Sequence, residues 1–150
     1  MIEIERKFLV TSDAFKSEAI QQFRIVQGFL NRDPERTVRI RIQDQTGIIT
    51  VKGIGNKTGT TRFEWEKEIS LEEAEQLIAL CESGIIEKIR YIIPSGHHIF
   101  EVDEFLGNHE GLTIAEIELS TENEVFEKPK WLGAEVTGQK QYYNSQLSKK

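Results

Sequence analysis

Five segments of the sequence alternate charged and apolar residues in the reverse sense of an ordinary half-buried strand. The first, residues 3–7, reads Glu-Ile-Glu-Arg-Lys, and as a β-strand it places Glu3, Glu5 and Lys7 on one face. The others are residues 39–41, 64–66, 88–90 and 116–118, in each of which two charged residues flank an apolar or aromatic one. One such strand is typical of a solvated sheet face, but five of them together also require a cover for a large apolar surface.

The rest of the pattern predicts about eight strands joined by short connections. We expect strands over residues 2–10, 23–31, 36–43, 48–53, 61–69, 85–93, 97–106 and 112–120. A short helix is indicated within residues 12–22, and a capping box of Ser70 and Glu73 begins a clear helix that Gly84 ends. From residue 121 the pattern becomes more helical, with Thr137 as a cap for a last helix through Leu147. Connections this short favour antiparallel pairing.

These elements predict a single α+β domain over residues 1–150. We expect a closed eight-stranded antiparallel β-barrel, with helices packed outside and a C-terminal helix, because closing the sheet removes its edges. The apolar faces then point outward under the helices, and the charged faces line a tunnel. Burying a charge costs of order several kcal/mol unless the charge is paired or binds a ligand. Such a lumen pairs its charges internally and offers a site for a metal ion and a polyanion.

Composition narrows the partners and the compartment. The formal net charge of −6 does not suggest a nucleic-acid partner. No stretch approaches the ~20 apolar residues that a membrane span needs, and the N-terminus begins with a charged strand where a signal region would be apolar. The single cysteine, Cys81, rules out an internal disulfide and indicates a reducing compartment. We therefore expect a cytoplasmic protein with neither nucleic acid nor membrane as a partner; a homodimer is left open.

Two sets of charged residues are expected to line the lumen. Arginines two residues apart on one face can each grip phosphate oxygens with a forked set of donors. Carboxylates without histidine or cysteine suit hard cations, Mg²⁺ or Mn²⁺, which in turn bridge phosphates. The cations are Lys7, Arg39, Arg41, Lys52, Lys88 and Arg90, and the acids are Glu3, Glu5, Glu64, Glu66, Asp103, Glu116 and Glu118.

A series of short motifs resembles a known family. The motifs are E-x-E-x-K at 3–7, Gln-Gly-Phe-Leu at 27–30, R-x-R at 39–41, Val-Lys-Gly at 51–53, E-x-E at 64–66, E-K-x-R-Y at 87–91, E-V-D at 101–103, A-E-I-E at 115–118 and W-L-G-x-E-V-T at 131–137. In this order, over nearly the whole chain, they resemble the CYTH superfamily of triphosphate tunnel metalloenzymes, and its small bacterial inorganic triphosphatases in particular. One departure is Phe29, where those triphosphatases often have tyrosine.

The resemblance implies a tunnel-shaped barrel that hydrolyses a triphosphate, most simply inorganic tripolyphosphate, to pyrophosphate and phosphate. It implies metal ligands at Glu3, Glu5, Glu116 and Glu118, then Asp103, and phosphate contacts from Lys7, Arg39, Arg41, Lys52 and Arg90. Lys88 matches the lysine proposed as general base in such triphosphatases, with a pKa lowered by surrounding cations. Glu64 and Glu66 hold a second metal or pair with cations, and Lys140 is assigned to the tunnel mouth.

Other functions share the same phosphate clamp. A class IV-type adenylate cyclase and a thiamine triphosphatase both hold a triphosphate, and the sequence does not separate substrates that have this group in common. A polyphosphate-binding module without turnover would keep the cations and lose the metal carboxylates. This chain keeps both sets, so the sequence favours an enzyme.

Overall fold

The computed structural model of the protein describes residues 2–148. Within that range the chain forms nine strands and two α-helices, linked by loops and short 3₁₀ turns. The strands are β1 Ile2–Val10, β2 Gln21–Asn31, β3 Arg36–Gln43, β4 Thr46–Gly55, β5 Thr61–Ile69, β6 Ile86–Ser95, β7 His98–Phe105, β8 Thr113–Glu118 and β9 Leu132–Glu135. The helices are α1 Leu71–Ile78 and α2 Asn144–Leu147, and the 3₁₀ turns are Asp13–Glu18, Gly107–His109 and Lys140–Tyr142. The helix predicted within residues 12–22 is the first of these turns.

Eight of the strands close into an antiparallel barrel, as the sequence predicts. Their order is β5-β4-β3-β2-β6-β7-β8-β1, and pairing of Ile2–Ile4 with residues 61–63 joins β1 back to β5. Residues directly opposite on antiparallel strands share a face, so the pairs Lys7–Glu116, Glu101–Glu116 and Arg90–Asp103 all point inward. The barrel is therefore inverted, with its charged faces inside.

The outer faces of β6, β7, β8 and β1 carry the larger apolar core. Phe8, Tyr91, Phe100 and Ile117 pack there against Phe15 of the first 3₁₀ turn. The irregular segment before β9 covers this core further with two aromatic side chains, Phe126 and Trp131. Loops and a 3₁₀ turn thus cover this part of the barrel, where the sequence predicted helices.

Helix α1 covers another part of the outer surface, over β2, β3 and β4. Its capping box is confirmed, because Ser70 Oγ accepts from the N–H of Glu73 and the Glu73 carboxylate accepts from the N–H of Ser70. The helix ends at Ile78, earlier than the predicted stop at Gly84. The segment after the helix also packs closely on β2 because of a glycine: a Cβ at Gly28 would lie 2.9 Å from Cys81 Cβ.

The chain after residue 121 corrects the prediction of a helical tail. Beyond Ile4, the edge of β1 that pairs with β5 is taken over by β9, where Phe8 lies opposite Glu135. Thr137 caps no helix; its Oγ1 accepts from the N–H of Lys7 at 2.9 Å, and Val136 N–H donates to the Lys7 carbonyl at 2.8 Å. An unpaired strand edge leaves backbone groups unsatisfied, and this segment satisfies them.

The C-terminal helix lies at one end of the barrel rather than on its outside. Inward-facing Phe29, Ile86, Phe105 and Ile114 form a second apolar cluster there, and Leu147 of α2 packs into it. The interior is thus layered, with an apolar plug at one end and charged side chains over the rest. Among residues 2–148, no helix has the length and apolar character needed to cross a membrane.

Candidate active site

A polar cavity of about 330 Å³ occupies the charged part of the barrel interior. Side chains from all eight barrel strands, β1 to β8, line it, together with residues around α2. The lining cations are Lys7, Arg39, Arg41, Lys52, Arg62 and Arg90. The lining acids are Glu3, Glu5, Glu64, Glu66, Glu101, Glu116 and Glu118. Of the predicted site residues, all but Lys88, Asp103 and Lys140 reach this cavity.

Most of the acids and three of the four arginines occupy different parts of the ring, although Lys7 and Arg62 lie among the acids on β1 and β5. Glu116 and Glu118 on β8, Glu3 and Glu5 on β1, and Glu64 and Glu66 on β5 belong to three adjacent strands. Arg39 and Arg41 lie on β3, and Arg90 lies on β6. In a closed ring of eight strands, β3 is opposite β8, and β2, which separates β3 from β6, is opposite β1. A carboxylate wall therefore faces an arginine wall across the cavity.

Glu5 and Glu116 are neighbouring carboxylates on the carboxylate wall whose charges interact. Burial raises the pKa of Glu5 well above its usual value, and the neighbouring charges of Glu116 and Glu3 raise it further. Burial acts on Glu116 in the same direction, but Lys7 and Arg90 outweigh it and lower its pKa to about 2. The pKa values of the two carboxylates thus shift in opposite directions, and a cation bound beside them would offset the repulsion that raises the pKa of Glu5.

Two carboxylates on this side pair with a lysine. Lys52 Nζ lies 2.9 Å from Glu3 Oε1 and 3.5 Å from Glu64 Oε2. Burial lowers the pKa of Lys52, but the charges of Glu5 and Glu3 outweigh it, so that the net shift is upward. Lys52 accordingly stays charged. The ion pair supports the pairing alternative for Glu64, one of its two predicted roles.

The arginine wall has excess positive charge. Arg39 donates from Nη2 to Thr50 Oγ1 at 3.1 Å and lies 3.8 Å from Glu66, but its buried Nε has no hydrogen-bond partner among the described residues. Burial lowers the pKa of Arg41, and repulsion from Arg39 and Arg90 lowers it further. A buried donor without an acceptor is costly, so this wall is suited to receive an anion.

Beneath the arginine wall lies a buried network that includes Lys88 and Asp103. Asp103 accepts two hydrogen bonds from Arg90, at 2.7 and 2.8 Å, and its Oδ2 lies 2.7 Å from Lys88 Nζ. Although burial opposes ionisation of Asp103, Arg90 and Lys88 lower its pKa overall. Both oxygens are engaged by cations, so Asp103 has the geometry of an ion pair; its role as a metal ligand stays a prediction that this position does not favour.

Lys88 itself has no exposed surface and does not line the cavity. Its Nζ donates to Asn144 Oδ1 at 2.8 Å, and Asn144 does line the cavity. Burial lowers the pKa of Lys88 to about 7, with Arg90 and Arg41 adding to the effect and Asp103 opposing it. The amide of Asn144 thus lies between the predicted general base and the space where substrate would bind.

The structure also moves one predicted residue out of the site and adds others. Lys140 is exposed, lies in the last 3₁₀ turn and does not reach the cavity, because the predicted long helix is absent. Residues at or beside the cavity that the sequence analysis did not assign to the site are Gln27, Arg62, Glu101, Tyr143 and Asn144. Gln27, Tyr143 and Asn144 are uncharged, so they lack the charge alternation that marked the others. Arg62 and Glu101 do have it, since each lies two residues from an acid on the same strand.

The donor chemistry of the carboxylate wall fits a hard divalent cation. Glu3, Glu5, Glu116 and Glu118 offer oxygen ligands only, and burial and neighbouring acids raise the pKa values of Glu3, Glu5 and Glu118, as expected where negative charge is crowded. No three His, Cys, Asp or Glu side chains among residues 2–148 converge as a ready-made metal centre. The carboxylates would therefore need to turn toward a shared ion.

The fold and the cavity define a class: a closed antiparallel barrel whose charged interior is divided into an acidic and a basic wall. Residues 1–150 match the family model of the CYTH domain, and the chain belongs to this family. The resemblance drawn from the sequence motifs is confirmed.

Similar proteins include two named inorganic triphosphatase. The protein from Acetivibrio thermocellus is 49% identical over 148 residues, covering 98% of this chain and 93% of the relative. The protein from Nitrosomonas europaea is 35% identical over 153 residues, covering 99% of this chain and 97% of the relative.

Solved structures agree in fold. A crystal structure of an inorganic triphosphatase has a TM-score of 0.69 at 32% identity and covers 97% of both chains. A protein from Pyrococcus horikoshii has a TM-score of 0.65 at 22% identity, covering 81% of this chain and 80% of that one. At that identity the second likeness concerns the fold alone.

Proposed function

We propose that this protein is a divalent-metal-dependent triphosphatase that hydrolyses inorganic tripolyphosphate to pyrophosphate and phosphate inside the barrel. The observation that carries the proposal is the division of the cavity into a carboxylate wall on β8, β1 and β5 and an arginine wall on β3 and β6. A polyanion with a cation bound to it complements both walls at once. The names of the relatives from Acetivibrio thermocellus and Nitrosomonas europaea support the same activity.

Arg39 and Arg41 are the best-placed phosphate ligands in this proposal. Arg39 Nε has no hydrogen-bond partner among residues 2–148. Arg41 donates only from its Nε, to Gln27, so its two terminal nitrogens are available. Arg90 differs, because its three nitrogens all contact Asp103 or Glu101. We therefore assign the clamp to the β3 arginines and a supporting electrostatic role to Arg90. Lys7 and Lys52 also line the cavity and add positive charge.

Glu3, Glu5, Glu116 and Glu118 would hold Mg²⁺ or Mn²⁺. When bound, the ion supplies charge neutralisation and polarisation at the phosphate oxygens. In the step itself, water would attack the terminal phosphorus and lose a proton to a base, the role predicted for Lys88. The bond from that phosphorus to its bridging oxygen would break, and pyrophosphate would leave with the bonding electron pair. Arg39 and Arg41 would stabilise the charge carried by the transferring group, which is the dominant source of catalysis in phosphoryl transfer.

A phosphate-release panel tests this proposal. Tripolyphosphate, pyrophosphate, ATP and thiamine triphosphate are each incubated with Mg²⁺, Mn²⁺ or Ca²⁺, and cyclic AMP is measured in parallel. We expect tripolyphosphate to be cleaved most rapidly and the activity to be lost after chelation. Cyclic AMP as the main product, or full activity in excess chelator, would overturn the assignment.

Glu5→Gln tests the carboxylate wall directly. A carboxamide keeps the shape of the side chain but is a poor ligand for a hard cation, so we expect the concentration of Mg²⁺ needed for half-maximal activity to rise at least about tenfold. Glu75→Gln makes the same change on the exposed surface of α1 and should behave as the parent protein. An unchanged metal requirement in Glu5→Gln would show that Glu5 is not a ligand.

A further inference from the structure

Two side-chain amides link the arginine clamp to the buried lysine. Arg41 Nε donates to Gln27 Oε1 at 2.8 Å, and Gln27 Nε2 donates to Asn144 Oδ1 at 2.8 Å. The same Asn144 oxygen accepts from Lys88 Nζ at 2.8 Å. Gln27 is fully buried, whereas Asn144 lines the cavity.

The direction of these hydrogen bonds follows from chemistry. An arginine nitrogen can only donate, so Gln27 must turn its oxygen toward Arg41 and its NH₂ group toward Asn144. Asn144 must then turn its oxygen toward Gln27, where Lys88 also reaches it. The NH₂ group of Asn144 is left on the other side of the amide, and it has no hydrogen-bond partner among residues 2–148.

We propose that Asn144 Nδ2 donates a hydrogen bond to a phosphate oxygen of the substrate, so that the C-terminal segment completes the anion site with a neutral donor. Gln27 is then a positioning residue, which sets the orientation of the Asn144 amide without touching the substrate. This inference rests on the proposed function, because it places a triphosphate in the cavity.

Two features favour this use of the amide. Its oxygen accepts from two donors, one of them the Lys88 ammonium group, and donors bound to an amide oxygen polarise its N–H bonds and make them better donors. A neutral group also adds a contact to the phosphate without adding charge to a wall where burial and neighbouring cations already lower the pKa of Arg41. Asn144 therefore complements Arg39 and Arg41 without increasing their mutual repulsion.

Asn144→Asp is the informative change. It keeps an oxygen for Gln27 and Lys88 but replaces the cavity-facing donor with a second oxygen. We expect kcat/KM for tripolyphosphate to fall by about 10- to 100-fold, the usual range for losing a hydrogen bond to a charged group. The melting temperature of the free variant should not fall, because a carboxylate next to Lys88 replaces an amide. Gln146→Glu adds the same charge on the same helix, outside the cavity lining, and should keep the parent kcat/KM.

Asn144→Leu separates the lost donor from the added charge. It removes the donor without introducing a carboxylate, so the loss of kcat/KM should persist, now with a lower melting temperature because Gln27 and Lys88 lose their acceptor. If Asn144→Asp and Asn144→Leu both keep kcat/KM within threefold of the parent, the inference is wrong.

A measurement on the unmutated protein covers the case in which the variants do not fold. With ¹⁵N-labelled asparagine, tripolyphosphate added in excess chelator should move the side-chain NH₂ resonance of Asn144, since binding occurs without turnover. If tripolyphosphate raises the melting temperature but leaves the Asn144 resonance unmoved, the inference about Asn144 is wrong and the proposed function stands. If tripolyphosphate does not stabilise the parent protein and the parent protein does not cleave it, the proposed function is wrong.

Discussion

Lys88 shows how a single residue can be buried deeply and still belong to a site. Its ammonium group lies between Asp103 and Asn144, and burial, together with repulsion from Arg90 and Arg41, lowers its pKa to about 7. A lysine with this pKa is half neutral near pH 7, which suits a general base. The same burial separates it from the cavity by the side chain of Asn144, so the predicted role as general base would depend on Asn144.

Lys88→Ala tests the predicted role as general base. A base acts in the chemical step, so kcat should fall by roughly 10²–10⁴-fold with little change in KM. Only the neutral amine accepts a proton, and its fraction grows as the pH rises through about 7. The parent kcat should therefore rise across this range, and Lys88→Ala should lose that rise. Near-normal kcat with an unchanged pH profile would reduce Lys88 to a positioning residue for Asn144.

Most of the charged site residues could be predicted because charge pairs two residues apart mark a strand face. Arg39, Arg41, Glu3 and Glu5 were placed on the cavity wall by this rule alone. Asn144 was not, since a single asparagine in a polar tail carries no periodic signal. Its position depends on where α2 meets the end of the barrel. Its contact with Gln27, for example, joins residues 117 positions apart in the sequence.

At the scale of the element, helix α1 is held close to the sheet by glycine. A Cβ at Gly47 would lie 2.6 Å from Ala74 Cβ and 2.9 Å from the Ser70 carbonyl oxygen, both shorter than real Cβ contacts. Ala74 is fully buried against this surface. The capping box at Ser70 fixes where the helix begins, so the helix cannot easily slide to make room.

Gly47→Ala should therefore destabilise the fold by about 1–3 kcal/mol, the usual cost of overpacking. Chemical denaturation measures it, and Ala74→Gly in the same chain should recover part of the loss because it removes the opposing methyl group. Gly55→Ala is the matched control on the same strand, where the nearest atoms to an added Cβ are 3.8 Å away. Equal effects at the two glycines would argue against the close packing of α1.

The elements divide into those with a local signal and those without one. Strand alternation and the Ser70 capping box predicted the barrel strands and the start of α1. Strand β9 has no such signal, because it forms along the edge of β1 that β5 leaves free after Ile4. This free edge exists only once the barrel has closed. The sequence of residues 132–135 alone therefore does not predict β9, nor that Thr137 caps no helix.

At the scale of the whole molecule, a net charge of −6 conceals a strongly divided interior. Burial lowers the pKa values of Arg39 and Arg41 on β3, and repulsion from Arg90 on β6 lowers both further. A polyanion relieves this repulsion, and a ligand that binds only the folded state stabilises it by mass action.

Tripolyphosphate should thus raise the melting temperature even in excess chelator, where no turnover occurs. At about 100 times its dissociation constant the expected rise is roughly 5–10 °C for a chain of this length. Orthophosphate and sodium chloride at matched ionic strength should give much smaller shifts. No rise at millimolar tripolyphosphate would count against an anion site in the barrel.

The apolar plug of Phe29, Ile86, Phe105, Ile114 and Leu147 fills one end of the barrel interior, and we infer from it a channel that opens at the other end. A linear phosphate chain that enters it must arrive end first, and whatever is released must leave by the way the substrate came. Under the proposed function, a long polyphosphate would project its remainder into solvent, because it could not be threaded past the plug. Turnover on longer chains would require full withdrawal between cuts, which favours short substrates without any contact devoted to recognising their length.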